Sequence, residues 1–379
     1  MLSKYHMNMT MKKLIQRVGA ASLAFWLAAC AAPGTGPADS RRAGADPAGA
    51  AGAAASAASS AASSAAAFVG AASAAAAVPS FALEADTARR VEILDLVWQD
   101  TARNRTIPAR LYLPAYDGTP STGPLPLVVF SHGLGSSRMG YTHLGRHWAA
   151  QGFASLHLQH AGSDRSVWAG NVIQMAQYLQ QATTIETAVA RARDVTFAID
   201  QVTADPALAA RIDLQRIAVA GHSYGANTAL LVAGARLDID GLPQSLRDPR
   251  VRAAVLMSAP PFPAAYDAGR ILAGISIPTL HLTTVDDVIR VPGYYSIPEQ
   301  RIELFEALPA VPKSLAVFNF GQHSVFSDRG PGEREQAVKR ATRDLSTAFL
   351  GSVFRSGGQT LAGTVATHRA LIARATLGQ

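Results

Sequence analysis

Cysteine is almost missing from the 379 residues: Cys30 is the only one. No disulfide can form within the chain, which excludes a small fold stapled by such bonds. Charge is also sparse, at 16% of residues against 49% hydrophobic, the reverse of a chain too polar to bury a core. There is no block of one sign either. The formal charge of +7 comes from 34 basic and 27 acidic residues, and the first 30 positions hold Lys4, Lys12, Lys13 and Arg17 with no acid. The remainder carries 30 basic against 27 acidic residues and no Lys or Arg run able to follow a phosphate backbone, so no nucleic-acid partner is expected. Beyond the first 30 residues no uninterrupted apolar run reaches the 18 or more needed to span a bilayer, and the mature chain is not expected to cross one. At about 150 residues per domain the length allows two or three domains, but α/β domains often run longer, and one large domain is expected.

What is present first is a targeting signal. From Met11 a basic start leads into an apolar stretch over residues 18–27 and then small residues before Cys30; residues 1–10 add nothing to this pattern. Residues 1–29 read as a signal peptide. Leu27-Ala28-Ala29-Cys30 resembles the bacterial lipobox, which implies a diacylglyceryl thioether on Cys30, membrane attachment through that lipid, and a place in the cell envelope. Ala31 is not the Asp that retains many lipoproteins at an inner membrane, so the resemblance implies the outer one where a cell has two. The alternative is an ordinary secretory signal with a chance Cys and a secreted product. Residues 30–80 are almost wholly Ala, Gly, Ser and Pro and read as a flexible stalk, because few of their side chains can build a core.

Past about Phe81 the pattern changes. Apolar and polar residues alternate over 91–98 and 106–114, the signature of an opening hairpin. Short apolar runs follow at 127–130, 154–158, 217–220, 253–257, 279–282 and 315–318, interleaved with helical patterns at 143–151, 185–201, 227–237 and 333–350. Fully apolar strands alternating with helices predict an α/β fold, a mostly parallel sheet of about eight strands with helices on both faces. The catalytic domain is expected over residues 81–352, followed at 353–379 by a C-terminal tail able to form helix.

The chemistry centres on Gly221-His222-Ser223-Tyr224-Gly225, a G-x-S-x-G placed between a strand and a helix as that motif requires. Glycines let the chain turn sharply enough to lift the serine Oγ above the sheet, and the helix N-terminus favours negative charge developing there. A serine hydroxyl attacks only when a base takes its proton, and the base needs an orienting acid. With this fold class the chain order is Ser, acid, His. Asp286 and Asp287 follow the strand at 279–282, and His323 follows the strand at 315–318, both in loops at strand C-termini, where open α/β sheets place their chemistry. Tyr224, directly after the serine, is expected to donate one oxyanion-hole N–H.

Residues 130–141, 221–228 and 287–294 together resemble the α/β-hydrolases, and more narrowly the bacterial group related to dienelactone hydrolases and platelet-activating-factor acetylhydrolases, over roughly residues 90–350. In that group the acid follows a T-G-T-x-D-like turn. The resemblance therefore selects Asp287, although Thr284 stands where Gly is usual and Asp286 stays open. It assigns the second oxyanion donor to Leu134, with Gly133 and Gly135 permitting the tight path, makes His132 a brace for that loop, and turns His222 away from the reaction. It puts residues 160–168 at the pocket, with Trp168, Val288 and Ile289 as candidate lining. The implied activity is a cofactor-free carboxylic-ester hydrolase acting through an acyl-enzyme on a small-molecule, short-chain ester.

Competing readings are a lipase or polyester depolymerase, whose best lid candidate, residues 167–178, is only mildly apolar, and a catalytically silent hydrolase fold used for binding. Loss of the Ser, Asp or His would have favoured the silent form, and none is lost. Of the ten His, the pairs His143/His147 and His157/His160 lack the H-E-x-x-H arrangement, and no metal is expected.

Overall fold

The structure, a computed structural model, describes residues 91–115, 123–239, 242–262, 267–291, 294–355 and 357–378. The expected signal peptide, Cys30 and the expected stalk lie outside the described residues. Eight strands occupy the expected runs: β1 (Val91–Asp100), β2 (Arg105–Pro114), β3 (Leu125–Ser131), β4 (Ala154–Leu158), β5 (Ile212–His222), β8 (Val251–Met257), β9 (Thr279–Asp286) and β12 (Lys313–Gln322). A ninth, β13 (Ile372–Thr376), joins them. Their order is β1-β2-β4-β3-β5-β8-β9-β12-β13. Pairing is parallel from β4 through β12, and antiparallel at the opening hairpin, at β2 with β4, and at β12 with β13.

Side-chain alternation along the central strands feeds two cores, one on each face. Leu127 and Val129 of β3, with Ile217 and Val219 of β5, face one way, against helices α3 (Ile185–Ala204) and α5 (Tyr224–Ala233). Val128 and Phe130, with Ala218 and Ala220, face the other, against α1 (Thr142–Ala150) and α8 (Glu333–Phe354). Because both faces are covered, the strands read as apolar runs without polar alternation.

Two expectations change. The helix predicted at 227–237 begins at Tyr224 and stops at Ala233, since Gly234 takes a φ of 131° and the chain turns into a hairpin of β6 (Arg236–Ile239) and β7 (Leu242–Ser245). The tail assigned to 353–379 belongs to the fold: α8 runs across its start and buries Phe354, and after α9 (Leu361–Thr367) strand β13 pairs antiparallel with β12 and covers that edge of the sheet. Only Ile372 of β13 is buried, so its sequence carries no alternating apolar signal.

Candidate active site

Strand β5 ends at His222 and α5 starts at Tyr224, leaving Ser223 alone in the turn with φ 55° and ψ −127°. Such a backbone is strained for a residue with a side chain. It survives because both neighbouring glycines permit a close crossing: a Cβ on Gly221 would lie 2.1 Å from the Gly225 carbonyl oxygen, and one on Gly225 would lie 1.9 Å from that of Ser131. Ser223 N–H is tied to the Met257 carbonyl at 2.9 Å, which fixes the elbow on β8.

Three side chains from three strand ends meet above the sheet. Ser223 Oγ lies 2.8 Å from His323 Nε2, and His323 Nδ1 lies 2.8 Å from Asp287 Oδ1. Asp287 is fully buried while Asp286 is exposed, so of the two neighbours it is Asp287 that meets His323. Thr284, where the family pattern has Gly, is buried and donates its hydroxyl to the Gly321 carbonyl, which lashes the acid turn to the strand end that carries His323. Thr283 Oγ1 donates to Asp287 Oδ2 at 2.7 Å. Burial pushes the Asp287 carboxyl up, but the hydrogen bond and charge of His323, the charge of Arg301 and the Ser258 hydrogen bond outweigh it and hold the group well below the usual carboxylate range.

The loop after β3 approaches the same point. Gly133 N–H donates to Tyr141 Oη at 3.2 Å and Gly135 N–H to the Ser163 carbonyl at 2.9 Å, whereas the Leu134 N–H between them has no partner among the described residues. Leu134 and Tyr224 both line the cavity with Ser223 and His323. As the first residue of α5, Tyr224 carries an N–H with no intrahelical acceptor. Gly135, at φ 72°, also packs under Trp168: a Cβ there would lie 2.2 Å from the indole Nε1, which donates to the Gly135 carbonyl at 2.8 Å.

Histidines brace this loop. His132 Nδ1 donates to the Gly133 carbonyl at 2.7 Å and its Nε2 accepts the His160 N–H at 3.1 Å. His160 in turn meets Asp194 Oδ2 at 3.0 Å and Ser131 Oγ at 3.1 Å, so it sits in the interior while Arg165 and Trp168 from the same stretch line the cavity. His222 turns away from the serine: its Nδ1 accepts from Tyr141 Oη at 2.9 Å and its Nε2 donates to the His323 carbonyl at 2.9 Å. Burial, helped by the His323 charge, lowers the His222 imidazole to about 3, so it stays neutral and able to accept. His157 is a core residue stacked on Phe130 with centroids 4.7 Å apart, and His143 Nε2 meets the Phe326 carbonyl at 3.0 Å. Among the described residues no three His, Cys, Asp or Glu side chains could hold one metal ion, and no helix is long and apolar enough to cross a membrane.

The cavity over the serine measures about 560 Å³ and is walled by Met139, Trp168, Phe262, Ile289, Val291 and Tyr294 among others. Val288, a candidate lining residue, is not part of the wall. The short strand β10 (Ile289–Val291) presents Ile289 and Val291 to the cavity, and the two-residue period of a strand turns Val288 to its other side.

Residues 128–370 match the alpha/beta hydrolase family. The chain belongs to that family. This alpha/beta hydrolase has no match among curated proteins. Among solved structures it is similar to a ferulic acid esterase from Streptomyces cinnamoneus, at 22% identity over 72% of this chain and 94% of that one, with a TM-score of 0.49.

Sequence reasoning about this hydrolase missed Ser258, Thr283, Arg301 and Arg191. Buried Arg191 on α3 donates to the His132 carbonyl at 2.5 Å, to Ser163 Oγ at 2.8 Å and to Thr228 Oγ1 at 2.8 Å, and its guanidinium stands 4.5 Å from the Tyr224 ring centroid. It thereby joins the Leu134 loop to the elbow helix. Its only sequence signal is an Arg at a position of α3 that faces the core.

Proposed function

We propose that this chain is a serine hydrolase of carboxylic esters, with Ser223 as nucleophile, His323 as general base and then acid, and Asp287 as the orienting carboxylate. The observation that carries the reading is the hydrogen-bonded chain Ser223–His323–Asp287, 2.8 Å at both links, opening from a strained elbow into the cavity. Ser223 Oγ attacks the ester carbonyl as its proton passes to His323 Nε2. The oxyanion meets the Leu134 and Tyr224 N–H groups. Collapse of this intermediate returns the proton to the departing alkoxide and leaves an acyl-enzyme, which water attacks by the same proton relay.

A cavity of about 560 Å³ suits a small ester. The resemblance to the dienelactone hydrolase and acetylhydrolase group supports a short acyl chain. A second reading, a lipase or polyester depolymerase, draws on the exposed apolar side chains of Val172, Ile173 and Tyr178 on α2 (Val172–Ala182), the helix running between the cavity residues Trp168 and Thr183. A series of p-nitrophenyl esters from acetate to palmitate tests both: kcat/KM should peak at the short esters and vanish in Ser223→Ala. A rate that climbs to palmitate and jumps above the micellar concentration makes the protein a lipase, and full activity in Ser223→Ala removes the serine mechanism.

The body is further proposed to be tethered at a bacterial envelope membrane by lipid on Cys30. Several acyl chains at about 0.8 kcal/mol per buried CH₂ anchor firmly where one is marginal. Labelling with palmitate should mark the wild type and not Cys30→Ser; an unlabelled wild type means simple secretion.

A further inference from the structure

Ser258 follows β8 directly, fully buried, with its N–H held by the Leu282 carbonyl at 2.7 Å and its backbone at φ 51°. Glycine suits that conformation; a serine there is strained, and bonds made by its hydroxyl must offset the cost. Those bonds go to both partners behind the nucleophile. Ser258 Oγ lies 2.5 Å from Asp287 Oδ2 and 2.7 Å from His323 Nδ1.

The single hydroxyl proton decides the directions. Nδ1 carries a proton, because it faces Asp287 Oδ1 at 2.8 Å while Nε2 accepts from Ser223. Ser258 Oγ therefore accepts from Nδ1–H and donates to Oδ2. Its O–H dipole lies with the positive end toward the carboxylate and the lone pair toward the imidazole. When Ser223 hands its proton to Nε2 and the ring becomes cationic, the Nδ1–H already has two acceptors, one on Asp287 and one on Ser258. Thr283 donates to the same Oδ2 at 2.7 Å and steadies the acid, but no hydrogen bond joins it to the ring.

We propose that Ser258 is a positioning residue and the fourth member of the relay, holding His323 in its Nδ1–H tautomer and stabilising the imidazolium formed during attack. The proposal rests on the serine-hydrolase reading above for its kinetic consequence, but not for its geometry.

Two variants separate the hydroxyl from the backbone strain. Ser258→Ala removes the hydroxyl and keeps the strain; Ser258→Gly removes both and should melt no lower than Ser258→Ala. A hydrogen bond to a charged group corresponds to about 10- to 100-fold in rate, so both variants of the full chain should lose that much kcat on p-nitrophenyl butyrate, with KM within about twofold. In the Asp287→Asn background the loss should be non-additive, since both residues act on one proton. The low-field Nδ1–H proton resonance of His323 reads the same hydrogen bonds without substrate and should move in both variants. A Ser258→Gly enzyme with wild-type kcat, a loss confined to KM, additive effects, or an unmoved resonance would each overturn the proposal. A wild type that hydrolyses no ester while the resonance still responds to Ser258 sinks the esterase reading and leaves the role of Ser258 standing.

Discussion

The imidazole of His222 donates from Nε2 to the backbone carbonyl of His323, 2.9 Å away, so the residue before Ser223 holds the loop that carries His323. The other ring nitrogen accepts from Tyr141, whose oxygen accepts the Gly133 N–H. One neutral side chain thus links the Leu134 loop, the elbow and the His323 loop. Replacing it leaves the buried Tyr141 O–H without its acceptor, at about 1–3 kcal/mol, and takes one donor from the His323 carbonyl. His222→Phe should fold with a lowered Tm and lose kcat well beyond any change in KM. Wild-type kcat in this variant means that the link does not position the base.

Asp287 is buried against His323 and Asp286 points to solvent, although the two are adjacent. Asp287→Asn should cost on the order of 10⁴ in kcat, by analogy with other serine relays, and Asp286→Asn less than about threefold. Steady-state kinetics on one short ester checks both. The reverse ranking moves the acid role to Asp286.

Buried histidines make the fold acid-sensitive. Burial lowers His143 and His160 to about 4, and His157, His222 and His281 to about 3. In the unfolded chain each titrates near about 6.5. A folded value below the unfolded one means that stability is full above about pH 6.5 and falls as the unfolded state takes up protons the folded state refuses. Each histidine contributes a slope of about 1.4 kcal/mol per pH unit in that window. Against a total of about 5–15 kcal/mol, five such groups should bring cooperative acid unfolding above about pH 4. Thermal melts from pH 8 downward read this, and His157→Gln should reduce the proton uptake by about one. A Tm that stays flat from pH 6.5 to 4 contradicts it.

Three arginines, Arg165, Arg236 and Arg329, line the cavity and are exposed; among the described residues they have no ion pair, and Asp328 is the only carboxylate in the wall. An ester with a free carboxylate, such as p-nitrophenyl hemiglutarate, should gain about two- to fivefold in kcat/KM over the uncharged valerate at low salt. The advantage should fade between about 10 mM and about 500 mM salt and weaken in Arg236→Gln. An unchanged ratio across that range shows that the rim charges do not meet the substrate.

Local order was legible in the chain itself. Six apolar runs announce six strands because a strand covered on both faces needs apolar side chains on both, and alternation over 91–98 and 106–114 announces the opening hairpin. Gly221, Ser223 and Gly225 announce the elbow because one sharp turn dictates all three positions within five residues. Chain order then singled out His323 and one of two neighbouring aspartates as the partners that meet Ser223.

Tertiary structure decided the rest, since burial and hydrogen-bond partners belong to elements far apart in the chain. Asp286 ends β9 with its side chain exposed, and Asp287 opens the following turn with its side chain buried. Ser258 stands 65 residues before His323 and Arg191 59 residues after His132, and neither sits in a local pattern that marks it. Strand β13 has one buried residue and becomes a strand because β12 offers it an edge. Periodicity records the face a residue presents to a core; which distant group it meets there is set only when the sheet closes the distance between them.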